Sequence, residues 1–209
     1  MNQTGKYILL GLGHGINDCI AGFIIGSLFY HGYTTTELGI YTLAYNLIAF
    51  GGQLVVARIF ESYFFPKNNL FASFSLLIGS LICLNMYPAI SILFSGIASA
   101  IFHVTGGLEA SREDDKSFGI GLFASPGILG LISGGFLSYI HFDFTLMGIL
   151  LCLIYLLVIG VFYKPSHQFI NVSEHEPEIE RHDVIMCILI TVISLRSFVW
   201  DIMQMVEQN

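Results

Sequence analysis

Charge is what this chain has least of. Asp, Glu, Lys and Arg together make up 11% of its 209 residues, whereas a water-soluble domain carries about a quarter. With 55% hydrophobic residues and a mean hydropathy of +0.75, there are too few polar side chains for a water-facing exterior. The eight Lys and Arg residues gather in no basic patch and the net charge is −7, so no nucleic-acid partner is indicated. Cysteine is also scarce. Cys19, Cys83, Cys152 and Cys187 all fall in apolar runs, at no disulfide or metal-ligand spacing, and read as packing residues. No cofactor motif and no metal site are legible.

What the chain does have is long apolar runs. A helix of about 20 residues crosses a hydrocarbon core of roughly 30 Å. Such runs are predicted at Tyr7–Tyr30, Leu38–Ala57, Leu70–Met86, Ala89–Thr105, Phe118–Ile140, Phe142–Tyr163 and Val184–Val206. The expected fold class is therefore an all-α membrane protein, with lipid as its surroundings. The first run does not read as a cleaved leader, because Asn17 and Asp18 interrupt it and no clear small-residue cleavage site follows. Lys6, Arg58, Lys67, Arg112, Lys116, Lys164 and Arg181 all fall on the side reached by the N-terminus. The opposite loops, around His31–Glu37, Asn85–Pro88 and His141, hold no Lys or Arg. This asymmetry predicts a multi-pass cell-membrane protein with a cytoplasmic N-terminus.

Three domains are expected: a six-helix half-domain over 1–163, an acidic cytoplasmic linker over 164–183, and a seventh helix over 184–209 that begins a second half. The linker contains Pro165 and the run from Glu174 to Glu180, which reads as solvated chain. Its histidines, His167, His175 and His182, match no metal-ligand motif.

Ionisable groups deep within the runs cluster in the first, fourth and seventh. The first has His14, Asn17 and Asp18, the fourth His103, and the seventh Arg196 and Asp201. These are the opening helices of successive triplets, the period of transporters built from three-helix inverted repeats. His14, Asn17 and Asp18 stand at i, i+3 and i+4, on one helical face. Asp18 lies roughly 16 Å into its run and Arg196 roughly 18 Å into its own, counted from the same side. A carboxylate at such depth faces a cavity or a partner, and an Asp18–Arg196 pair across a cavity is one expectation. A structural carboxylate between helices, and Arg196 pairing with Asp201 or snorkelling to the membrane surface, are the alternatives. His14 and His103 lie at similar depth and could bind substrate or relay protons; hydrogen bonds that merely hold each ring are the alternative. The fifth run contains Pro126, Gly127, Gly130 and Gly134. Gly130 and Gly134 share a face and allow a close helix contact, and Pro126 is expected to kink the helix.

Taken in order, these segments resemble the N-terminal half of a major facilitator superfamily transporter, in particular its fosmidomycin-resistance branch. His14-Gly15-Ile16-Asn17-Asp18 is similar to that branch's His-x-x-Asn-Asp, and Phe102-His103 ahead of Arg112 is similar to its Phe-His. Glu37-Leu38-Gly39-Ile40 and Gln53 stand where the branch has such residues, and Phe123 to Gly135 resembles its Gly/Pro-rich fifth helix. One element departs: Gly52 to Arg58 lacks the Asp of the family's loop motif. The resemblance implies alternating access by a half-bundle of two three-helix inverted repeats, with helices one, four and seven around the cavity. It also implies that the fifth helix packs on a second half, so that its Gly-rich face lies exposed without one. The expected partners are membrane lipid, a small-molecule substrate, and a second half from another copy or a separate chain.

The expected function is secondary transport of a small solute or drug, efflux included, possible to couple to protons through His14, Asp18 and His103. The alternatives are a membrane substrate-binding or partner subunit, or an inactive truncated product. An enzyme is not expected. Phe94-Ser95-Gly96 is loosely similar to an intramembrane serine protease site, but the sixth run holds no His, and His103 is roughly 12 Å along the same helix.

Overall fold

In lipid, an apolar run satisfies its backbone by closing every N–H···O=C bond within itself. A computed structural model of the chain describes residues 3–111 and 116–165, and every regular element among them is helical. The helices are α1 (Gln3–Leu28), α2 (Thr35–Asn46), α3 (Gly52–Phe60), α4 (Pro66–Cys83), α5 (Pro88–Ser111), α6 (Lys116–Tyr139) and α7 (Thr145–Phe162). They belong to one compact unit, Met1–His167. The expected seventh span, with Arg196, and nearly all of the acidic linker lie outside the described residues.

Among the described residues, five helical segments are long and apolar enough to cross a membrane: Gln3–Leu28, Thr35–Phe60, Pro88–Ser111, Ser117–Tyr139 and Thr145–Phe162. The second of these is continuous because a π-helical turn, Leu47–Gly51, joins α2 to α3. The third expected span forms α4, which at 18 residues is as long as α7. It is not among the five, because its first turn is Pro66-Lys67-Asn68-Asn69.

Local chemistry sets several ends. A capping box opens α2: Glu37 N–H donates to Thr34 Oγ1, and Thr34 N–H donates to the Glu37 carboxylate at 2.8 Å. This gives Glu37 a local role at the start of the second span. Pro66 starts α4, where its missing N–H leaves no helical bond unmade.

The order of contacts gives the sense of each pair. α1 runs antiparallel to α5, with Asn17 beside Ser99 and Lys6 beside Glu109. α4 runs antiparallel to α5, with Ser73 beside Ala98 and Gly79 beside Phe94, and to α7, with Lys67 beside Gly160 and Leu81 beside Gly148. α1 and α6 are parallel, and here the backbones themselves touch. A Cβ added to Gly130 would lie 2.1 Å from the Gly15 carbonyl oxygen, and one on Gly134 would lie 1.9 Å from that of Cys19. From the α1 side, a Cβ on Gly11 or Gly22 would meet the carbonyls of Leu122 and Leu131. Glycine is required where two helices approach this closely.

That seam corrects the expectation of an exposed Gly-rich face. Gly127, Gly130 and Gly134 are buried against α1 within the same bundle, and Pro126 packs there against Gly11 and Gly15. The outward side of α6 is instead Ile128, Leu129, Ile132 and Phe136, all exposed. α6 remains one helix through Pro126.

Candidate functional site

The α1–α5 seam carries two polar clusters. The first centres on Asp18, about 22 Å along an α1 that is about 39 Å long. His14, one turn earlier, brings Nε2 to 3.2 Å from Asp18 Oδ2. From α5, His103 places Nε2 at 3.9 Å from Asp18 Oδ1. The two imidazoles meet edge to face, with ring centroids 4.6 Å apart.

The other ring nitrogens explain this orientation. His14 Nδ1 lies 2.9 Å from the Phe123 carbonyl oxygen of α6, and His103 Nδ1 lies 2.7 Å from the Ser99 carbonyl oxygen one turn back on α5. A carbonyl only accepts, so each Nδ1 carries the hydrogen and each Nε2 is turned to the carboxylate. Asn17 fixes the carboxylate in turn, its Nδ2 donating to Asp18 Oδ1 at 2.8 Å and to Ser99 Oγ at 3.3 Å. The Tyr45 hydroxyl of α2 donates to Ser99 Oγ at 3.4 Å. Four helices therefore hold one centre.

The walls are aromatic. Phe123 stacks on His14 with centroids 4.7 Å apart, and Phe102 lies beside both rings, 6.0 Å from His14 and 5.9 Å from Phe123. Gly127 makes room for the ring, since a Cβ there would lie 2.5 Å from His14 Nε2. The centre is not sealed: the side chains of Asp18 and His103 are each 18% exposed. Asn17 is fully buried, and its Oδ1 has no hydrogen-bond partner among the described residues.

The second cluster lies toward the start of α1. Lys6 Nζ sits 2.8 Å from Glu109 Oε2, and the Tyr163 hydroxyl donates to the same oxygen at 2.7 Å. The Glu109 side chain is fully buried and that of Lys6 is 6% exposed. Lys6, counted from sequence among the loop cations, is in fact an internal cation of α1. Sequence reasoning missed this trio, although Glu109 is the sole carboxylate of α5 and a buried acid calls for a cation.

The structure thus brings together His14, Asn17, Asp18 and His103 out of the expected set. Arg196 is outside the described residues, so an Asp18–Arg196 pair has no geometry here. Gln53 turns back to its own helix, its Nε2 donating to the Ala49 carbonyl. Arg58 pairs with Glu61 at the exposed end of α3. Ser95 Oγ is buried without a hydrogen-bond partner among the described residues, and His103 bonds Ser99 instead. Cys19, Cys83 and Cys152 are free thiols. Compared with known proteins, the chain matches no family model, no curated protein and no solved structure.

Proposed function

We propose that this protein is a secondary transporter of a small solute or drug, working by alternating access around the His14–Asp18–His103 centre. The observation that carries the reading is the convergence of three ionisable side chains midway along two apolar helices, on a side that is not closed. Ionisable groups at membrane depth face a water-filled cavity or a partner, because lipid solvates them poorly. Here each is held in place by bonds to backbone or amide, as a binding site requires, and each is a group able to carry a coupled proton. The open side calls for cover, which a second half-bundle would supply, as another copy or a separate chain. The N-terminus would lie in the cytoplasm.

The test is accumulation of a panel of small solutes and drugs in cells expressing the chain, with and without a protonophore. A solute whose accumulation changes several-fold with the chain, and returns to background with Asp18→Asn, is the expected result. Indistinguishable accumulation in expressing, Asp18→Asn and empty cells across the panel would remove the transport reading.

A further inference from the structure

We infer that His14, Asp18 and His103 form a binding site for a divalent transition-metal cation of the zinc class. The inference goes beyond transport and stands or falls separately from it.

The donor set comes first. Two imidazole nitrogens and one carboxylate oxygen suit zinc, iron, cobalt or nickel, and are too nitrogen-rich for magnesium or calcium. Three protein donors leave further positions for water or a ligand. The donor atoms of His14, Asp18 and His103 all lie within 4.8 Å of one another. Metal–donor bonds of about 2.0–2.2 Å in a tetrahedral arrangement place donors about 3.3–3.6 Å apart. His14 Nε2 and Asp18 Oδ2 are already at 3.2 Å, His103 Nε2 reaches the other carboxylate oxygen at 3.9 Å, and an inward movement of His103 would complete the spacing.

The surroundings are what distinguish this from a chance cluster. Histidines that bind metals almost always donate their second ring N–H to a carbonyl, carboxylate or water, and bound carboxylates are themselves hydrogen-bonded. All three conditions are met: His14 Nδ1 to Phe123, His103 Nδ1 to Ser99, and Asp18 Oδ1 to the Asn17 amide. Both Nε2 lone pairs are thereby aimed at the space beside the carboxylate. Lys6, the nearest cation on α1 to enter an ion pair, is engaged by Glu109 and does not compete for Asp18.

The test uses the full chain, purified in detergent and stripped of metal, titrated with Co2+ and followed by its visible d–d absorption. About one Co2+ per chain is expected, displaced by Zn2+ and unaffected by Mg2+. His14→Gln and His103→Gln should each weaken the apparent affinity at least tenfold, and Asp18→Asn should also weaken it. Replacing the linker histidines together (H167Q, H175Q, H182Q) should leave it unchanged. Because a ligand substitution could also disturb folding, His103→Cys is the deciding variant. In protein that elutes as the parent does, it should still bind Co2+ and gain a thiolate-to-cobalt band in the near ultraviolet. No Co2+ uptake by the parent, uptake that survives the His14/His103 double substitution, or uptake lost with the linker histidines would each overturn the inference. So would Co2+ bound to His103→Cys without the thiolate band.

Discussion

The two polar clusters on the α1–α5 seam are made of similar materials and end in opposite states. At one end, Lys6, Glu109 and Tyr163 are closed over, with the carboxylate fully buried and its Oε2 taking both an ammonium and a hydroxyl hydrogen. Midway along the helices, Asp18 has two imidazoles and an amide around it, yet it and His103 keep some of their surface open. A buried ion pair is sensitive to loss of one partner, because the survivor is left charged and uncompensated. An open centre lacks that penalty, and its groups stay available to something from outside. The closed cluster thus reads as a fastening of α1 to α5 and α7, and the open one as the place for a ligand.

Four substitutions would break or sharpen this contrast. The largest effect belongs to the closed cluster: Glu109→Ala should cost about 3–5 kcal/mol of stability by removing the buried carboxylate that the Lys6 ammonium and the Tyr163 hydroxyl share. Thermal unfolding in detergent, followed by helical circular dichroism, would show it. Lys6→Met combined with Glu109→Leu should recover most of the loss; if it does not, the ion pair is more than a replaceable fastening. Next is Gly127→Ala, whose Cβ would push into His14. An overpacked core position of this kind costs about 1–3 kcal/mol, and the displaced ring should also weaken Co2+ binding severalfold. Smaller still, Asp18→Asn should lower stability less than Gly127→Ala does, because solvent reaches the groups it leaves at a partly open site, while abolishing the transport proposed above. An unfolding shift as large as that of Glu109→Ala would mean that Asp18 is structural after all. Smallest is Gly121→Ala, on the open side of α6 where a Cβ would meet nothing within 4 Å. It should be neutral or stabilise by up to about 1 kcal/mol through helix propensity, measured in the same unfolding experiment.

How much was legible in advance differs between the two clusters. The His14–Asp18 half of the open centre is local, since residues four apart on a helix are neighbours whatever the helix packs against. His103 could be recognised as a polar residue at similar depth, but not as the second ring facing Asp18, because it comes 85 residues after Asp18 on another helix. The carbonyl of Phe123 left no trace in the residue pattern, since every residue offers one. A metal site was invisible for the same reason: ligand spacing along a chain is informative only when the ligands share an element. The closed cluster was missed because Lys6 stands at the edge of an apolar run and looks like a loop cation. The π-helical turn at Leu47–Gly51 was not anticipated either, and the residues themselves offer no account of it.

By itself the sequence determined that the described chain is helical and apolar, roughly where each described helix begins and ends, and which polar groups share a helical face. Those properties rest on backbone bonds closed within a segment and on side chains at fixed spacing, so they are decided one segment at a time. The tertiary structure alone decided which faces meet. Several helices here present equally apolar surfaces, and in lipid apolarity does not discriminate among partners. Selection falls to shape and hydrogen bonding: Gly130 and Gly134 against the backbone of α1, His14 against the Phe123 carbonyl, and His103 against Asp18. These are properties of pairs of surfaces, which no single stretch of chain contains.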